Sequence, residues 1–215
     1  MSDDAPTTRL TLVTPELSET DAFLPALEAA LAAGDVAAVV LRLAPADDRT
    51  RAARAKPLIA AVQAAGAAAL IAGDGVEDIV GKSGADGLHL FGAGGVADAI
   101  ERFQPEKIVG VATPPSRDDA MTAGELGADY ILFGLSPSGA AWESDRTLDR
   151  VAWWVPIFET PCVGFAGSID DVSAIAAAGA EFVALGDAVW RAENGPAAAV
   201  ASAMAMISLA RTPAP

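Results

Sequence analysis

Cysteine, histidine and lysine are nearly missing from this chain, and each shortage removes a class of chemistry. Cys162 is the only cysteine, so neither an internal disulfide nor a cysteine-built zinc site can form. It sits in an apolar run and reads as a buried structural thiol. His89 is the only histidine, and the lysines are Lys56, Lys82 and Lys107. Positive charge is short as a whole: 14 Lys and Arg residues face 29 Asp and Glu, a formal net charge of −15. Binding a nucleic-acid backbone requires clustered cations that displace counterions. No such cluster stands out along the sequence, so nucleic acid is not an expected partner. The acidic excess, as at Asp118-Asp119 and Glu125, reads as a solvated surface.

Long apolar runs are missing too. About half the residues are apolar, yet no block approaches the roughly 18 needed to span a bilayer, so no membrane partner is expected. The opening Met1-Ser2-Asp3-Asp4-Ala5-Pro6 is acidic with no apolar stretch after it, unlike a secretory signal. A cytoplasmic protein is the expectation.

What the chain does have is alternation. Short apolar runs at 10–13, 36–42, 67–71, 87–90, 108–112, 130–133, 162–165 and 182–185 are mostly followed within a few residues by Gly, Pro, Ser or Asp, as strands are. Between them lie Ala-rich stretches with helical spacing, for instance 21–33, 47–65, 116–126 and 170–178. Strands apolar on both faces belong to parallel sheets covered by helices. Repeated through this length, the pattern predicts an α/β fold, a (β/α)8 barrel with eight parallel strands. One domain over residues 1–215 is expected, with 1–8 and 211–215 as flexible termini.

A short phrase recurs: Gly84-Ala85-Asp86, Gly127-Ala128-Asp129 and Gly179-Ala180-Glu181. Glycine suits the left-handed position that closes a helix, and an acid then leads into the next strand. The phrase marks αβ joints at the bottom of the barrel, which puts the chemistry at the opposite, C-terminal ends of the strands. There the sequence offers Thr14-Pro15, Arg42, Gly73-Asp74, His89, Ala112-Thr113, the long loop 134–145, Ala166-Gly167-Ser168 and Gly186-Asp187.

The segments LTLVTP, VVLRLA, AGD, GADGLHL, GVAT and GADYILFG, in this order and along nearly the whole chain, resemble the thiamine phosphate synthase and thiazole tautomerase family. The resemblance implies a (β/α)8 barrel of thiamine biosynthesis. The family's synthases join a pyrimidine methyl diphosphate to a thiazole phosphate and release pyrophosphate, with Mg2+. Residue by residue, the carry-over thins. Of the polar residues in the second-strand motif, only Arg42 remains. Gly73-Asp74 stands for an Asn-Asp pair and keeps one Mg2+ carboxylate, Asp74, while the turn Phe91-Gly92-Ala93-Gly94 lacks the second. Ala112 replaces a serine that serves the pyrophosphate, with Thr113 offering a hydroxyl beside it. The phosphate-gripping Thr-any-Thr-Lys of the sixth loop has no counterpart in 134–142, nor does the loop hold a histidine of the tautomerase kind. Ala166-Gly167-Ser168-Ile169 alters a Gly-Gly-Ile turn, and Asp187 replaces a small residue.

The lysines agree with this, since none lies in a C-terminal loop. Pyrophosphate departure requires positioned positive charge, and losing one such group commonly costs about 10²–10³ in rate, so efficient synthase turnover is not expected. Backbone at Gly167, Ser168 and Gly186 suits a monophosphate; the bland alternative is a tight turn and an N-cap. His89 is a candidate acid or base or a hydrogen-bonded barrel residue. Trp142 either covers a planar ligand or packs on the rim with Trp153 and Trp154. Arg42 either pairs with Asp74 or binds an anion. A small phosphorylated ligand is the expected partner, and oligomerisation is left open. Three readings follow: a synthase with a reorganised site, a different enzyme on the same barrel, or a ligand-binding or regulatory paralogue.

Overall fold

The computed structural model describes residues 8–73, 75–113 and 116–210. Eight parallel strands close into a barrel in sequence order: β1 (Arg9–Leu17), β2 (Val36–Leu43), β3 (Ala68–Ala72), β4 (Gly87–Phe91), β5 (Ile108–Ala112), β6 (Tyr130–Phe133), β7 (Cys162–Ala166) and β8 (Phe182–Leu185). Helices α1 (Thr20–Leu31), α2 (Asp48–Ala64), α3 (Glu77–Ser83), α4 (Val96–Phe103), α5 (Arg117–Leu126), α6 (Ser144–Trp154) and α7 (Val172–Ala177) form the outer layer. The short α8 (Asp187–Trp190) and long α9 (Gly195–Ala210) complete it. No helix is long and apolar enough to cross a membrane among the described residues.

Strand alternation divides the core in two. One set of side chains, including Leu41, Leu88, Val111 and Ile131, packs outward against the helices. The other, including Val40, Leu70, Leu132 and Phe165, fills the barrel. Cys162 belongs to the outer set; it is buried and free, and burial pushes its thiol pKa up. Thr8, which the expected flexible N-terminal segment included, is buried and donates its hydroxyl to the Ala180 carbonyl at 2.8 Å. Residues 1–7 and 211–215 lie outside the described residues.

The recurring Gly-Ala-acid phrase does more than join elements. Gly84 and Gly127 close α3 and α5 in the left-handed region, at φ 84° and 98°, and the following Ala85 and Ala128 are buried. Asp86 then binds Ala69 of β3 twice: its N–H donates to the Ala69 carbonyl at 2.8 Å and its carboxylate accepts the Ala69 N–H at 2.8 Å. Asp129 repeats this on Val109 of β5, at 2.9 and 2.7 Å. Glu181 accepts the Cys162 N–H of β7 at 2.9 Å. A side chain thus extends the sheet ladder one step below the point where the even strand begins. Gln63 and Gln104 brace two of the joints, each donating to the glycine carbonyl and to the acid. A fourth acid, Asp35, precedes β2 without the Gly-Ala signature and grips the Arg9 side chain of β1 at 2.7 and 2.9 Å. That hydrogen-bonded pairing holds the Asp35 carboxyl below its usual pKa.

Asp86→Ala leaves the Ala69 N–H without its partner and is expected to cost about 1–3 kcal/mol. Because β3, β5 and β7 are not neighbours, the losses from Asp86→Ala, Asp129→Ala and Glu181→Ala should add. Denaturant unfolding of the single and triple variants measures this; a triple variant near wild-type stability contradicts it.

Candidate active site at the barrel mouth

Arg42 reaches the C-terminal mouth because its neighbours Leu41 and Leu43 face the helices, so alternation turns it the other way. Thr14 and Pro15, expected as a loop, lie within β1, where the register shifts between Val13 and Glu16. A bulge tolerates the proline that a regular ladder would not. Thr14 uses the irregularity to accept the Arg42 N–H at 2.9 Å, and the Trp190 indole donates to the Val13 carbonyl at 2.7 Å.

The loop after β6 folds into a narrow strap. Leu135 bridges Ala141, Ser136 N–H donates to the Ala140 carbonyl, Gly139 N–H donates to the Ser136 carbonyl, and Ala140 N–H donates to Ser136 Oγ at 3.1 Å. The strap rests on Arg42, whose Nη2 donates to the Pro137 carbonyl at 2.9 Å. Gly139 has φ +89°, and a Cβ there would strike the Arg42 guanidinium.

Pro137 lines two clefts. One, of about 480 Å³, is apolar and includes Phe91, Ala112, Leu135 and Trp142. Within it the Thr113 hydroxyl is buried and has no hydrogen-bond partner among the described residues. The other, of about 410 Å³, is charged and includes Glu16, Arg42, Asp187 and Arg191. Arg191 is paired with Asp187 one turn away at 3.2 Å, so the aspartate that opens α8 neutralises the second guanidinium of this cleft.

The loop after β7 carries an internal anion. Asp171 Oδ2 accepts both the Ser168 N–H, at 3.0 Å, and the Ser168 hydroxyl, at 2.8 Å. The bare Cα of Gly167 lets this turn approach the strap, since a Cβ there would lie 3.3 Å from that of Ala141. Gly186 faces the Phe165 ring, 3.0 Å from where its own Cβ would be.

His89 lies below both clefts, fully buried within the barrel. Its Nδ1 shares a 2.7 Å hydrogen bond with the Tyr130 hydroxyl. The two residues sit on β4 and β6, separated by Gly110 of β5 at the same level. A Cβ on Gly110 would fall on the Tyr130 ring, so this glycine opens the space through which tyrosine reaches histidine. Burial, with the Arg42 charge adding to it, pushes the His89 pKa down to about 3. Nε2 has no partner among the described residues.

Sequence and structure comparisons agree with this architecture. Residues 10–189 match the family described as thiamine monophosphate synthase. The chain is 40% identical over 202 residues to the thiamine-phosphate synthase of Rhodospirillum centenum, covering 90% of this chain and 94% of that protein. It belongs to this family. A second thiamine-phosphate synthase, from Hyphomonas neptunium, is 36% identical over 212 residues, with 93% and 95% covered. The solved thiamine phosphate pyrophosphorylase of Pyrococcus furiosus shares the fold, with a TM-score of 0.77 at 20% identity, covering 97% and 99% of the two chains.

Of the residues singled out in the sequence, Arg42, Thr113 and Trp142 come together around the strap. Trp142 lines the apolar cleft under Arg146, whose guanidinium is 5.4 Å from the ring centroid. Trp153 and Trp154 pack instead with Phe158. Gly167 approaches the strap at Ala141, Ser168 is held by Asp171, and Gly186 packs on the Phe165 ring. Asp74 lies outside the described residues, and with it the expected Arg42–Asp74 pair. Pro137, Gly139, Tyr130 and Asp171 were not foreseen. Gly110 was the available signal for Tyr130, because a glycine inside a strand marks close approach. Among the described residues no three metal-ligating side chains gather, and the turn after β4 brings no carboxylate.

Folded His89 stays neutral down to about pH 3, whereas the free imidazole titrates near 6.5. The unfolded chain therefore takes up a proton in this window that the folded one refuses. Stability is fully present above pH 6.5 and falls on acidification, by up to about 1.4 kcal/mol per pH unit. His89→Gln cannot titrate and should flatten that part of the profile in denaturant unfolding. An unchanged slope would show that His89 is not buried as a neutral group.

Proposed function

We propose that this barrel binds a small phosphorylated heteroaromatic ligand of the thiamine-precursor kind and turns over a diphosphate substrate poorly. The observation that carries the binding is the buried Thr113 hydroxyl in the wall of the apolar cleft, which has no hydrogen-bond partner among the described residues. A buried hydroxyl left unmatched costs free energy, and a heteroatom of a ring lying between Phe91 and Trp142 would satisfy it. The phosphate would then extend under Pro137 towards Arg42, which exchanges a neutral carbonyl for an anion and gains a charge-assisted bond. Gly167 lies beside the strap at Ala141, and a phosphate on Ser168 has to displace the Asp171 carboxylate.

Poor turnover follows from the charges of the mouth. Joining a pyrimidine methyl group to a thiazole nitrogen breaks a carbon–oxygen bond and releases pyrophosphate, whose developing charge requires fixed cations. In the charged cleft Arg42 holds the strap and Arg191 holds Asp187. His89, inside the barrel and neutral, supplies no proton to the mouth. The family reaction at ordinary efficiency remains the second reading, and it requires Arg42 to release Pro137 when substrate enters.

Thermal melting with thiazole phosphate, thiamine phosphate and the pyrimidine methyl diphosphate tests the binding. The two monophosphates are expected to raise the melting temperature more than the diphosphate, and Trp142→Ala should weaken them about tenfold, the loss of one aromatic face. No shift from any of the three at millimolar concentration would sink the proposal. A turnover of about 1 s⁻¹ or faster, within the ordinary enzyme range, would favour the second reading instead.

The same reading expects weak Mg2+ binding by the protein alone, because one carboxylate at Asp74 is less than such sites normally use without substrate phosphate. Calorimetric titration should show no binding tighter than millimolar. A tighter isotherm that disappears in Asp74→Asn would overturn this.

A further inference from the structure

The cations of this acidic chain are not evenly used. Arg9, Arg102, Arg117, Arg150 and Arg191 are each paired with a carboxylate. Arg49 and Lys56 are exposed and make no ion pair among the described residues. They stand seven residues apart on α2, with Ala52 and Ala53 between them on the same face, and the exposed Lys82 of α3 closes the opposite side. Together these residues line a groove of about 580 Å³ on the outside of the barrel. The sequence hid it, because Lys82 lies 26 residues beyond Lys56.

We propose that the groove between α2 and α3 is a second anion site, separate from the barrel mouth, for a linear polyphosphate group. Seven residues of helix place Arg49 and Lys56 about 10.5 Å apart along the axis, a spacing that lets successive phosphates of one chain meet both cations without drawing the two like charges together. The floor is two alanine side chains. Without an aromatic or large aliphatic anchor the groove lacks what a protein partner buries, and without an aromatic face it has nothing on which a base can stack. Recognition therefore rests on the phosphates. Arginine binds them through its fork of donors and lysine as a point charge. Asp48 lies in the groove, 4.0 Å from Lys82, and its charge opposes the ligand.

Calorimetric titration of the full chain with tripolyphosphate tests the site, with ADP as the second arm to separate free polyphosphate from a nucleotide tail. Binding is expected at low salt and should weaken towards physiological salt. Lys56→Glu and the milder Lys56→Gln should each weaken it, the former at least about tenfold. Asp48→Asn should tighten it, and Arg42→Ala should leave it unchanged. Loss in Arg42→Ala with no change in Lys56→Glu would assign the binding to the mouth and overturn the proposal. So would absence of binding at low salt. ADP binding far more tightly than tripolyphosphate would overturn recognition through phosphates alone. None of these outcomes depends on the ligand proposed for the mouth.

Discussion

The barrel depends on carboxylates that act as pieces of β-sheet. A closed parallel sheet leaves backbone donors at the lower ends of its strands, where the neighbouring strand has not yet begun. Asp86, Asp129 and Glu181 stand at those places and accept the N–H groups of Ala69, Val109 and Cys162. Asp35 does the corresponding work on the Arg9 side chain. A helix-closing glycine aims the acid and a buried alanine anchors it. Register is fixed at the bottom, which leaves the opposite loops free to vary without loosening the sheet.

At the mouth the organising contact is the Arg42 guanidinium under the strap at Pro137 and Gly139. It links the end of β2 to the loop after β6 across the top of the barrel. The strap divides what would be one basin into an apolar half and a charged half. The same side chain that sets this partition also adds positive charge near His89 and helps keep it neutral.

The alternation of strands and helices was legible because each strand is an apolar run ended by turn residues. Strand positions agree closely, except that β1 continues through Thr14-Pro15 to Leu17 by way of a bulge, which no local pattern announces. The Gly-Ala-acid phrase was readable as a joint, while the acid's bond was not, since its partner lies 17 to 20 residues earlier on another strand. For the same reason Arg42 could be placed at a strand end but not on Pro137, 95 residues away. His89 showed no partner in the sequence because Tyr130 lies 41 residues on and two strands over. Contacts closed by barrel curvature carry no local periodicity.

The carboxylate clamps all tie an odd strand to the even strand that follows it: β1 to β2, β3 to β4, β5 to β6 and β7 to β8. Among the described residues none ties an even strand to its successor. Chemically the barrel is thus four double-strand modules arranged in a ring, although its sheet is continuous. A chain break or a rearranged terminus placed between modules leaves every clamp whole, whereas one placed inside a module separates an acid from the strand it completes. The ring has four natural seams, between β2 and β3, β4 and β5, β6 and β7, and β8 and β1.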